Sequence, residues 1–133
     1  MEMRVSFNIG YFLLTVIFFT SCDPAKVLII KAGKTNTRVH VYANNKILPF
    51  SDGVDNAKMV IRVPSNDTTE KAFYYGLGGW SKNGVSRLAS DIDSIIIVNR
   101  FDTISLKITA DIENYLWKHT GGYARSRLKI EAK

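Results

Sequence analysis

The stretch DSIIIVNRFDTISLKIT, residues 93–109, reads as two β-strands folded back on each other. Asp93 to Asn99 is the most apolar run after the N-terminal segment and fits a central strand. Arg100, Phe101 and Asp102 make the turn. From Thr103 to Thr109, Ile104, Leu106 and Ile108 alternate with Ser105, Lys107 and Thr109, the period of a strand with one buried face.

Working outward from this hairpin, Val85, Leu88 and Ala89 have the spacing of a short helix, with Asn83 placed to cap it. Downstream, Asp111 to His119 reads as a second helix. Ile112, Tyr115, Leu116 and His119 share one face, the acidic residues stand at its positive end, and Gly121-Gly122 stops it. Tyr123 to Glu131 alternates again: Ala124, Ser126, Leu128 and Ile130 point inward, while Arg125, Arg127 and Lys129 point outward. Charges of that kind protect an edge strand, or form a docking face for anionic lipid or glycan.

The first half repeats the strand pattern. Lys26 to Ala32 is a compact apolar strand, and Gly33 to Asn36 has turn chemistry. Thr37 to Ala43 alternates and is expected to pair with the first strand as a hairpin. Lys58 to Val63, closed by Pro64, and the aromatic-rich Glu70 to Gly76 supply two more strands. Gly78 and Gly79 then allow positive φ and close backbone approach, so a sharp corner is expected before Trp80. About seven strands with two short helices imply an antiparallel β-sandwich of immunoglobulin-like size, without the Cys–Trp–Cys hallmark. The competing arrangement is one curved sheet packed on the C-terminal helix.

The first residues have a different character. One basic residue, Arg4, precedes an apolar run from Val5 to Phe19, followed by Thr20, Ser21 and the single cysteine, Cys22. The order resembles the lipobox of bacterial lipoproteins. That resemblance implies removal of residues 1–21, a diacylglycerol on the Cys22 thiol and acylation of the new amino terminus. Residues 22–25 would then be a short lipidated tether and residues 26–133 one β-rich domain. An uncleaved span and an ordinary secretory signal are the alternatives, the first at the short limit for crossing a bilayer.

Lys and Arg total 18 against 12 Asp and Glu, a net charge of +6, and the leader holds one of each sign. The remainder therefore keeps the whole excess, which suits anionic headgroups, acidic glycans or an acidic partner. Export argues against nucleic acid. With one cysteine, no disulfide forms within the chain, and the fold must rest on packing.

Residues that carry chemistry are sparse. No nucleophile–base order, zinc spacing or nucleotide loop is present, and no cofactor or metal is expected. His40 falls on the polar face of its strand. Asp52 and Asp55 lack the order of a calcium loop. Asp91 and Asp93 flank Ile92 and are the one carboxylate pair that could serve a hydrolase. Tyr75, Trp80, Arg125 and Arg127 are the candidate ligand contacts, Trp80 also being suited to cover one end of the core.

The chain resembles small lipoproteins of Bacteroides-type bacteria, a group without a known biochemical role. The resemblance rests on Thr20-Ser21-Cys22, on VHVYANN (39–45), and on FYYGLGGW (73–80) followed by a short helix and DIDSIIIVN (91–99). It implies lipidation at Cys22. The absence of an acidic run after Cys22 points to the periplasmic face of the outer membrane. It also implies possible O-glycosylation sites at Asp-Ser/Thr tripeptides, of which Thr68 is the one in a segment expected to be exposed. The expected function is a non-enzymatic, lipid-anchored envelope module binding a protein or glycan. An inhibitor or immunity lipoprotein is the second reading, and a small envelope hydrolase the third.

Overall fold

The computed structural model describes residues 23–33, 36–48, 58–65 and 70–133. Cys22 and the leader, Asp52, Asp55 and Thr68 lie outside the described residues.

Among the described residues, eight strands form two four-stranded sheets with a sandwich-like arrangement. In chain order they are β1 (Ala25–Lys31), β2 (Arg38–Asn44), β3 (Lys58–Val63), β4 (Lys71–Leu77), β5 (Ile92–Val98), β6 (Thr103–Leu106), β7 (Thr120–Gly121) and β8 (Arg127–Glu131). Helix α1 (Lys82–Ser90) precedes β5, and α2 (Thr109–Lys118) follows β6. The first sheet runs β4-β1-β8-β7 and the second β3-β2-β5-β6. β1 and β8 are parallel; the other pairings are antiparallel.

The inner rows follow the strand period. Leu28 stands between Phe73 and Leu128, and Ile30 beside Ile130. In the second sheet, Val39 lies between Val63 and Ile97, and Val41 between Ile61 and Ile95. Val85, Leu88 and Ala89 of α1 and Ile112 and Leu116 of α2 complete one continuous apolar core. Each fully buried side chain of this size contributes roughly 1.5–3 kcal/mol, so packing suffices where no disulfide can form.

Several expectations are corrected. β1 does not form a hairpin with β2, because the two strands belong to different sheets. Leu28, Ile29 and Ile30 are all buried, which requires neighbours on both sides and cover on both faces. β4 and β8 supply the neighbours. The residues after β1 therefore carry the chain across to the second sheet. Nor is β8 an edge: β1 lies along one side of it and β7 along part of the other. Ala124 is exposed rather than inward, since residues 123–125 form a turn ahead of the strand with Ala124 and Arg125 in left-handed backbone.

Ser81, not Asn83, caps α1; its hydroxyl accepts from the Gly84 amide at 3.0 Å. β6 stops at Leu106. Ile108 becomes the residue before α2 and is 65% exposed, its carbonyl accepting from the Ile112 amide at 3.0 Å. Burying Ile112 and Leu116 on a helix outweighs continuing the strand alternation. A bulge accounts for the start of β5. Tyr42 pairs with Ser94 and Ala43 with Ile92, leaving Asp93 as the extra residue. The bulge turns Asp93 out and Ile92 in, although unbroken alternation would bury 93, 95 and 97 together.

The corner expected at Gly78 and Gly79 is present, and Gly76, read from sequence as the end of a strand, joins it. Gly76 and Gly78 have φ of +101° and +94°. At Gly79, an added Cβ would lie 2.0 Å from the Ala124 carbonyl oxygen, a contact with rigid backbone. Gly79→Ala is therefore expected to destabilise the fold by about 2–3 kcal/mol, the upper range for overpacking. Thermal unfolding should show Tm lower by roughly 10 °C or more; an unchanged Tm would mean the corner moves freely.

Candidate functional site

The four contact residues named from sequence do converge, at the glycine corner. The Tyr75 and Trp80 rings meet edge to face, 5.1 Å between centroids. The Trp80 amide donates to the Arg125 carbonyl at 3.0 Å, and Arg127 packs beside Gly122. Two of the four are structural. Trp80 is 4% exposed and its indole N–H donates to the Val27 carbonyl at 3.1 Å, so no ring face is open for stacking a sugar. Tyr75 is half-buried and its hydroxyl donates to the Ile47 carbonyl. Burial, with a smaller push from Asp91, drives that phenol well above its ordinary pKa of 10 and keeps it a neutral donor.

Arg125 and Arg127 are exposed. The Arg125 guanidinium sits 4.5 Å from the Trp117 ring centroid, and Lys26 Nζ lies 4.9 Å from that of Trp80. Arg127 shares an outer row with Val27 and Tyr74. Tyr74, 44% exposed, is thus the aromatic that faces solvent on β4, while Phe73 and Tyr75 turn inward. Strand parity could have separated these three, but the corner glycines leave the phase of β4 ambiguous.

Neither aspartate of the proposed pair is free. Asp91 ends α1 and accepts from the Asn44 side-chain amide at 3.0 Å. Asp93, on its bulge, holds Lys58 Nζ at 2.7 Å through both oxygens. Among the described residues, no three metal-binding side chains come together.

A site the sequence did not single out lies on the outer face of the second sheet. One row there runs Arg62, His40, Ile96, Ser105. The next places Arg38 beside Val98. The edge of this face opens into a notch of about 210 Å³ lined by Asn36, Thr37, Arg38, Ser65 and Val98. The one ion pair among the described residues is Lys58–Asp93, so Arg38 and Arg62 carry positive charge without a carboxylate partner among them. Both lower the His40 pKa from its ordinary 6.5, after burial, which contributes most. The His40 and Tyr42 rings meet edge to face, 6.4 Å between centroids, and the exposed Arg38 and Arg62 give this face a positive charge. Such a face attracts carboxylate, sulfate or phosphate groups.

No family model, curated protein or solved structure matches the chain. Among the described residues, no helix is long and apolar enough to cross a membrane.

The position of His40 fixes the sign of a pH effect. The unfolded chain holds the His40 proton more tightly than the folded one, so this residue's stabilising contribution is complete above the unfolded pKa of 6.5 and is lost as pH falls through the lower folded value. Arg62→Gln should move the His40 titration, followed by proton NMR, upward towards 6.5. An unmoved titration would show that the Arg62 charge does not reach the ring.

Proposed function

We propose that the protein is a lipid-anchored cell-envelope module, not an enzyme, that binds acidic groups of a protein or glycan on the Arg38–His40–Arg62 face. The observation that carries this reading is the pair of arginines, without carboxylate partners among the described residues, on an open sheet face beside a polar notch. The anchor rests on Cys22 and the apolar leader, as in the lipoproteins the sequence resembles, with the periplasmic side of the outer membrane as its place. A hydrolase reading is weaker, because both of its aspartates already hold structural partners.

Two measurements test the proposal. Intact mass of protein from native membranes should show residues 1–21 removed and lipid added, with no lipid on a Cys22→Ala variant. Calorimetry with a sulfated polysaccharide and, separately, an acidic polypeptide should find one of them bound, with affinity falling as salt rises. The double variant Arg38→Gln/Arg62→Gln should weaken that binding at least about tenfold, as expected from losing charge-assisted contacts. Binding that survives both substitutions would place the contact elsewhere, and no binding of either probe would remove the acidic-ligand reading.

A further inference from the structure

We infer that the glycine-corner end of the protein rests directly on the anionic lipid surface, so that the notch end points away from the membrane. This rests on the lipoprotein reading and adds the partner of a second surface. Cys22 lies three residues before Ala25, where β1 begins. Three extended residues span roughly 10 Å, so the start of β1 cannot leave the bilayer surface by more than that.

Strand directions define what else lies at this end. β8 runs parallel to β1 and starts beside it, while antiparallel β4 finishes there, with Leu77 opposite Ala25. The same end exposes Leu77 at 68% and Tyr123 at 80%, and carries Lys26, Arg125 and Arg127. Aliphatic and aromatic side chains ringed by cations match the boundary between headgroups and acyl chains. Tyr123 is held outward by a rigid turn rather than a loose loop. Ala124 and Arg125 both adopt positive φ, +50° and +54°, which side-chain-bearing residues rarely accept. The Trp80 amide on the Arg125 carbonyl, the Ser126 amide on the Tyr123 carbonyl at 3.1 Å, and Gly79 packed against Ala124 impose that geometry. The carboxylates Asp91 and Asp93 belong to the second sheet's side of this end and are held by Asn44 and Lys58. Across residues 23–27, 77–82 and 122–127 the one carboxylate is Asp23, against Lys26, Lys82, Arg125 and Arg127, so a net cationic side next to the tether is left to meet the lipid.

The opposite end supplies the control. Phe101 is 90% exposed in the β5–β6 turn, and that turn is tied to the C-terminus by the Lys133 amide donating to Asn99 Oδ1 at 2.8 Å. It lies beyond the far end of β8, whose five residues from Arg127 to Glu131 span about 13 Å at the usual rise per strand residue. With the native thiol lipidated, Tyr123→Cys and Phe101→Cys full-length proteins each take one nitroxide label. In phosphatidylglycerol–phosphatidylethanolamine vesicles, the label at 123 should be shielded several-fold from a water-soluble relaxant and reached by oxygen, and the label at 101 should be neither. Adding Arg125→Glu and Arg127→Glu should return the label at 123 to water. Lipid mass on Cys22 with equal water access at both positions would overturn this inference and leave the anchor standing. Absence of lipid mass would overturn both.

Discussion

The parallel pairing of the first described strand with the last is the contact on which the architecture depends. Val27 stands beside Arg127 and Lys31 beside Glu131, so nearly the whole chain serves as the connection between two adjacent strands. Closing so long a loop costs entropy that is recovered only when both inner rows are in place. Leu28, Ile30, Leu128 and Ile130 are each fully buried, and together they make the floor on which the second sheet and both helices pack. The pairing also fixes polarity. Parallel strands begin at the same end, which puts the start of β1, the glycine corner and the turn at residues 122–126 together, and the last residue of β8 at the opposite end.

That corner is tightly determined for physical reasons. β4 must leave the first sheet, reverse, and hand the chain to α1 within a few residues. Gly76 and Gly78 take backbone conformations that a side chain would resist, and Gly79 leaves room for a carbonyl from the turn before β8. Trp80 then locks the join from inside, its ring against Tyr75 and its two N–H groups on the Val27 and Arg125 carbonyls. A large aromatic residue beside three glycines can look like a binding platform. In this fold it is the bolt between strand ends distant in sequence.

Much of the fold was legible because local period and burial agree. The alternation in residues 37–43 and, from Ser126 onward, in 126–131, the isoleucines of the apolar run at 93–99, and the 85/88/89 and 112/116 spacings match what is buried. Partner choice was not legible. Residues 33–36 have turn chemistry, and nothing local tells a hairpin from a crossing to the other sheet; the uninterrupted run Leu28-Ile29-Ile30 was the one sign that β1 needed two distant neighbours. The bulge at Asp93 was hidden for a related reason, since the extra residue shows only when β5 is laid against β2. The candidate site was less legible still. Arg38, His40 and Arg62 come from two strands joined by a long connection, and their convergence is a product of register.

The distribution of charge links these features to the role proposed. An excess of cations spread evenly over a small domain would serve solubility and little more. Two of the cationic groups bear on that role: Lys26, Arg125 and Arg127 at the start of β1 and β8, and Arg38 with Arg62 on the outer face of the second sheet, none of them with a carboxylate partner among the described residues. Asp91 closes a helix and Asp93 steadies Lys58 on a bulge, which leaves Asp23 as the one carboxylate beside Lys26, Arg125 and Arg127. A module anchored at one end has separate uses for the two groups. On the proposed reading, those near the anchor orient the module against an anionic surface, which turns the other pair towards whatever the envelope presents.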